Sequence, residues 1–338
     1  MKNPKLKFET LSVGSVSKTD VCLCYLRDTV SPEIIKEIKK RLSSSTLETV
    51  LSSSYLIPFL EEEKNMCPFS GIRPFGTALI RSAARSRREG SAVLVDGTPG
   101  VLIVPYLFVE YFQTMDDYSN QPYFATFTRW LKYLAFFIAT LLPGIYVAVG
   151  TFNPEVFPEE LMNKNCYGYR HYAVPLDAGS LVIHFIYEIM REAGLRLPKP
   201  LGHAVSIVGA LVIGDTAISS GLIGATTLMV VALTAISSYV IPSLYEPIAI
   251  LRLLFIIVGG VMGIWGVMLL FSVVLVSICG KTTYGVPFSS PISPFSLFSM
   301  RDVAVRSSWK VLSKRANTVQ HMPGTTAMDR EGETEAND

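Results

Sequence analysis

The sequence predicts an α/β amino-terminal domain followed by a polytopic α-helical transmembrane domain of four to six spans. Three observations carry that expectation. The first part alternates short apolar strands with an amphipathic helix, the second part contains charge-free runs long enough to cross a bilayer, and an aromatic-rich stretch separates the two. The 338 residues include 49% hydrophobic and only 17% charged residues, with a mean hydropathy of +0.37. That balance is apolar for a water-soluble protein. A net charge of +2 offers no electrostatic case for nucleic acid as a partner.

The amino-terminal domain is expected over residues 1–123. Its first twenty residues hold charges but no apolar core of signal-peptide length, so export of this part is not expected. VCLCYLR at 21–27 reads as a strand, with Cys22 and Cys24 on the same face as core residues rather than a metal pair. SPEIIKEIKKRL reads as a helix: Ser31 supplies an N-cap, Pro32 fits the first helical position, and Ile34, Ile35, Ile38 and Leu42 recur at helical spacing. A second helix is expected over 77–88, ending before Gly90. EGSAVLVDGTPGVLIVP at 89–105 follows as a hairpin, its Asp96-Gly97 and Pro99-Gly100 providing turn chemistry.

Twelve of the 36 aromatic residues (3 Trp, 15 Tyr, 18 Phe) lie in residues 106–137, as at a membrane interface. The helical transmembrane domain is expected over 124–295. Residues 133–154 carry no charge between Lys132 and Glu155, with Pro143 inside as a kink candidate. Residues 204–224 hold one carboxylate, Asp215, and 225–241 end at Pro242. Leu253–Gly280 is charge-free for 28 residues, and its glycines allow one tilted helix or a broken pair. Residues 179–194 are shorter and more polar, and span, re-enter or lie at the interface. The basic residues Arg301, Arg306, Lys310, Lys314 and Arg315 belong in the cytoplasm by the positive-inside rule, within a mostly disordered tail at 296–338.

No phosphate-loop, zinc-protease, nucleophile-elbow or dinucleotide motif occurs, and the histidines 171, 184, 203 and 321 share no ligand spacing. Five cysteines, Cys22, Cys24, Cys67, Cys166 and Cys279, show no zinc or disulfide spacing. The expectation is therefore a protein that is not an enzyme and needs no metal or cofactor. Asp215 is the most informative intramembrane residue, since a carboxylate there costs about 2.5 to 3.5 kcal/mol unless it meets water or a partner. It reads either as a pore or vestibule residue that attracts cations or as a helix-end carboxylate at the interface, and with Ser206, Gly209, Gly214 and Ser219 it marks a pore-lining or close-packed helix. His184 and Glu188, one turn apart, are candidates for a gate element or an interfacial pair, and Arg191 and Glu192 for anchoring or coupling.

Several stretches resemble the A subunit of the GerA-type nutrient germinant receptors of bacterial spores. They are SAVLVDGTPGVLIVP, the Asp116-Asp117-Tyr118 of QTMDDY, LKYLAFFIATLLPGIYVAV, MREAGLRLPKPLGHAVSIVGALVIGDTAI, VALTAISSYVIPS and TYGVPFSSPISPF. The resemblance runs from about residue 13 to 315. It implies a homo-oligomer of A subunits in the inner spore membrane, working with a transporter-like, nutrient-binding B subunit and a lipoprotein C subunit and surrounded by membrane lipids. It also implies a cytosolic amino-terminal domain and a nutrient-gated cation channel that starts germination. Under that reading Asp96, Gly97, Pro99, Gly100, Asp116 and Asp117 join Arg191 and Glu192 as coupling or assembly candidates. Three departures stand out. The chain starts near the beginning of the family's second lobe, the family's Glu-Arg-Pro-Asp appears as Ile72-Arg73-Pro74-Phe75, and Gly179 and His184 stand where carboxylates are usual. A secondary transporter and a non-conducting scaffold are the competing functions, although no internal repeat supports the former.

Overall fold

In the computed structural model the described residues are 6–26, 30–61, 67–76, 91–114, 116–157, 174–198, 212–295, 300 and 302–306. They divide into two compact units, one made of residues 1–130 and 274–338 and the other of residues 131–273.

The first unit is built on a five-stranded antiparallel sheet. Strands β1 (Leu6–Val13), β2 (Thr19–Leu26), β3 (Arg73–Gly76), β4 (Ser91–Val95) and β5 (Gly100–Val104) lie in the order β1-β2-β4-β5-β3. Alternation drives β4, whose Ser91, Val93 and Val95 are buried while the residues between them are half-buried. On β2, Val21, Leu23 and Tyr25 enter the same core. Helix α1 (Pro32–Ser43) adds Ile34, Ile35, Ile38 and Leu42, all buried on the stripe that its periodicity predicts. Its amino terminus is capped as expected: the Glu33 amide donates to Ser31 Oγ at 3.3 Å, and Pro32 opens the helix.

The hairpin of β4 and β5 forms with Val93 opposite Leu102. Its turn is satisfied internally. The Gly97 amide donates to Asp96 Oδ1 at 2.9 Å, Thr98 Oγ1 donates to the Val95 carbonyl at 2.9 Å, and Gly97 takes a φ of 75°. Arg73 and Pro74 form part of β3, paired with β5 at the sheet edge. The edge is where a proline, which cannot donate to a ladder, is tolerated. Strand β1 had no sequence forecast; its faces are mostly half-buried or exposed, so it lacks a strong apolar alternation. The helix expected at 77–88 lies outside the described residues.

A second, small ladder pairs β6 (Thr282–Thr283) with β7 (Val286–Pro287). Tyr284 between them and Val286 of β7 join the sheet's core. Tyr284 donates its hydroxyl to the Leu60 carbonyl at 2.8 Å, and Lys281 Nζ reaches Glu61 Oε1 at 2.7 Å and the Phe69 carbonyl at 2.6 Å.

The second unit is helical. Helix α2 (Pro122–Phe152) runs 31 residues through Pro143 and covers the first expected span. Helix α3 (Leu176–Arg196) makes a 21-residue helix of the polar stretch left open by sequence. A helical stretch at 212–219 follows, then α4 (Ala225–Val240), which ends before Pro242. Helix α5 (Tyr245–Gly280) spans 36 residues but breaks at Gly263, which adopts φ 63° and ψ −153°. A side chain at that φ is strained, so the broken alternative is the one formed. Unbroken, 36 residues would extend about 54 Å, well beyond a hydrocarbon core of about 30 Å.

Among the described residues, two helices are long and apolar enough to cross a membrane, Pro122–Phe152 and Pro242–Gly280. They approach closely in the second unit. A Cβ on Gly259 would lie 2.5 Å from the Gly144 carbonyl oxygen, and one on Gly144 would lie 2.8 Å from Phe255. Small residues at such a crossing let two backbones meet where no water-driven force holds helices together.

Candidate functional site: buried charge in the helical unit

Helix α3 carries Ser180, His184 and Glu188 at four-residue spacing, which stacks them along one face. Both His184 and Ser180 are fully buried. The ring of His184 bonds through Nδ1 to the Ser180 carbonyl at 2.9 Å and through Nε2 to Thr234 Oγ1 of α4 at 3.4 Å. Glu188 turns elsewhere. Its Oε1 accepts from Arg252 Nη2 and its Oε2 from the Tyr245 hydroxyl, both on α5. The guanidinium of Arg252 also lies 5.5 Å from the centre of the Tyr187 ring, and that of Arg191 lies over the ring of Tyr245.

Arg252 has no exposed side-chain surface, and Glu188 retains 20%. A guanidinium buried among apolar helices is tolerated only with a counter-charge and acceptors, and Glu188 supplies the charge. The arrangement can hold α3 against α5 through the Glu188–Arg252 pair and the Tyr245 hydroxyl. A separate polar contact links α2 to α4, where the Tyr146 hydroxyl lies 3.1 Å from Thr226 Oγ1 and 3.0 Å from Thr227 Oγ1.

The pairing of His184 with Glu188 anticipated from their spacing is replaced by these two separate partnerships. Asp215 is exposed on the stretch 212–219, Gly214 is buried against Leu228, and exposed Ser219 donates to the Thr216 carbonyl at 3.2 Å. Ser206 and Gly209 lie outside the described residues. Glu192 forms an exposed pair with Arg196 at 2.7 Å. Sequence reasoning missed Arg252 and Tyr245, because the apolar run was measured from Leu253 onward and its last charge was treated as a boundary. Arg252 falls about two turns inside a helix that begins at Tyr245.

The first unit holds its own buried constellation. Asp117, at 2% exposure, accepts from Arg129 Nε at 3.2 Å and from Thr114 Oγ1 at 3.0 Å, while its neighbour Asp116 is exposed. Fully buried Arg129 also donates through Nη1 to Asp302 Oδ1 at 3.0 Å, and Tyr118 donates to Asp302 Oδ2 at 2.8 Å. Arg306, placed by sequence only as a positive-inside charge, donates to the carbonyls of Asn120 at 3.3 Å and Tyr118 at 3.2 Å. Asp96 and Gly97 close the hairpin turn, and Gly100 opens β5 opposite Gly76. Pro99 lies in the same turn. Arg73 donates to the Tyr106 hydroxyl at 2.9 Å and lies over the rings of Tyr106 and Tyr111. Burial pushes both of those phenols up from their ordinary range. Among the described residues no group of three or more His, Cys, Asp or Glu is placed to hold a metal.

The family model described as Bacillus/Clostridium GerA spore germination protein matches residues 1–318. The chain belongs to the GerA family. Among its relatives, spore germination protein KA of Bacillus subtilis is 37% identical over 94% of this chain and 59% of its own length. The uncharacterized membrane protein YfkQ of the same organism is 34% identical over 98% of this chain and 64% of its own. Spore germination protein GerLA of Bacillus cereus is 31% identical over 96% and 66% respectively. The chain thus spans about three-fifths of the length of the first two relatives. No solved structure matches it. The quoted stretch beginning MREAG contains Arg191 of α3, and VALTAISSYVIPS contains Thr234 of α4, which bonds His184.

Proposed function

We propose that this GerA-family chain is a membrane subunit of a spore nutrient germinant receptor. It acts in a homo-oligomer of A subunits, with companion B and C subunits, as part of a nutrient-gated cation channel in the inner spore membrane. The reading takes the helical part to cross the membrane four to six times with the sheet unit in the cytosol. The single observation that carries the receptor reading is the family match over residues 1–318. The channel component draws support from charge retained inside apolar helices. Asp215 is exposed on a helical stretch followed by the wholly uncharged α4, and a carboxylate so placed must meet water, a cation or another chain. The pair of half-buried Glu188 and buried Arg252 fits an element that resists rearrangement until a signal arrives.

The test is cation flux in vesicles containing the chain together with its companion subunits. Nutrient addition releases trapped potassium, and Asp215→Ala lowers the rate several-fold while assembly is unchanged. Absence of flux in every subunit combination would overturn the channel reading. Flux indifferent to Asp215→Ala would remove that residue from the path. Saturable exchange of the nutrient itself across the vesicle membrane would indicate transport instead.

A further inference from the structure

Helix α2 is longer than a bilayer needs. Its 31 residues extend about 46 Å, against a hydrocarbon core of about 30 Å, and absorbing the excess by tilt would take about 50°, beyond the usual range of about 0 to 40°. Residues 133–152 are charge-free and make a full crossing by themselves, which leaves the first turns of α2 over. Those turns have two unlike faces. Arg129 is fully buried and paired with Asp117 and Asp302, and Lys132 keeps only 9% exposure. On the other face Tyr123, Phe127 and Trp130 recur at four- and three-residue spacing, 74%, 64% and 60% exposed, with Phe124 beside them at 50%. The aromatic residues upstream behave differently: Tyr106, Tyr111 and Phe112 are buried inside the first unit.

Four neighbouring aromatic rings on one helix face form an apolar patch that asks for a partner. We infer that residues 123–130 of α2 lie in the headgroup–acyl boundary of the bilayer, with Tyr123, Phe124, Phe127 and Trp130 set among the lipids. The chemistry fits that depth: Tyr123 and Trp130 join an apolar ring to a polar O–H or N–H, which suits a zone apolar on one side and wet on the other. Chain continuity commits the face to lipid, because the stripe runs directly into the uncharged residues of the crossing. The link from Arg129 to Asp117 and Asp302 then lies at the membrane surface, on the side of α2 turned away from lipid. The inference rests on the membrane-spanning reading of the helical part and adds to it the point at which the bilayer boundary crosses α2.

The test uses the whole chain, reconstituted in phosphatidylcholine vesicles whose lipids carry bromine either just below the headgroup or near the chain ends. Of the three tryptophans, Trp265→Phe with Trp309→Phe leaves Trp130 as reporter, and Trp130→Phe with Trp309→Phe leaves Trp265, 78% exposed on α5. Trp130 is expected to lose most of its emission to the shallow bromine and clearly less to the deep one. Phe127→Trp, in a chain whose own tryptophans are all replaced by phenylalanine, is expected to show the same order and serves if the first chain does not fold. Trp265 reports the membrane reading separately: if neither bromine quenches it, that reading fails and the inference falls with it. If Trp265 is quenched and Trp130 is not, the inference alone is overturned. Aqueous acrylamide then tells the alternatives apart, since it quenches a Trp130 open to water and spares one covered by a second copy of the chain. Stronger quenching of Trp130 by the deep bromine overturns the inference too, because it places residue 130 within the crossing.

Discussion

Replacing Glu188 by leucine strands a guanidinium that has no exposed surface and only one bonded nitrogen. Removing one partner of a buried ion pair costs about 3 to 5 kcal/mol, because the surviving charge stays buried without compensation. Glu188 retains 20% exposure, which allows some water to approach and places the expected loss near the lower end, about 3 kcal/mol. Arg252→Leu strands the carboxylate instead, but the Tyr245 hydroxyl still donates to it, so its loss is smaller. The double variant Glu188→Leu/Arg252→Leu removes both desolvation penalties and is expected within about 1 kcal/mol of wild type, or above it. The coupling between the two sites is then several kcal/mol, far outside the additive range. The assay is reversible unfolding of the chain in mixed detergent, followed by the fluorescence of its three tryptophans. Single-variant losses below about 1 kcal/mol, or a double variant whose loss equals the sum of the singles, would refute the claim that these charges face each other out of water.

Other expectations follow from the same geometry. Gly144→Leu places a side chain against Phe255 where even a Cβ would be 2.8 Å away, so α2 and α5 separate and thermal stability falls by about 1 to 3 kcal/mol or more; Ala at Ile145, a more exposed neighbour, serves as the control in the same melt. In the first unit, Arg129→Leu leaves buried Asp117 and Asp302 without their cation and costs about 3 to 5 kcal/mol by thermal unfolding, whereas Arg129→Lys restores charge but not the two-sided fork and recovers only part. Burial pushes the Cys24 thiol up to about 12, so at pH 8 it resists maleimide while exposed Cys279 reacts, as read by mass spectrometry of the labelled chain. Hydrogen bonding from Lys39 holds the Glu9 carboxyl below its ordinary value of 4.5. A depressed carboxylate contributes stability above its unfolded value and loses it as pH falls through the folded one. Glu9→Gln is therefore less stable than wild type at pH 7, and the difference vanishes in acid.

Local pattern predicted the local elements well. Ser31 and Pro32 with the isoleucines of α1, the alternation of β4, and the stop at Pro242 each act within a few residues, so composition and spacing report them directly. Strand β1 escaped because it sits at a sheet edge, where neither face must be consistently apolar. Strand β3 escaped as well, because a proline speaks against a strand everywhere except at an edge, and edge position is a property of the sheet. The candidate site was legible in part. Glu188 and His184 were visible as polar residues on an apolar helix, but their spacing suggested a mutual contact that the neighbouring helices replaced.

By itself, then, the sequence determined that apolar helices follow an α/β region, where most of those elements begin and end, and which polar residues sit at a cost among apolar ones. The tertiary structure decided the partners. Asp302 meets Arg129 across 173 residues, Glu188 meets Arg252 across 64, and Tyr284 returns to the sheet's core from beyond α5. Helix and strand periodicity depends on neighbours a few positions away, whereas a buried charge is stabilised by whichever opposite charge the packing delivers, at any separation along the chain.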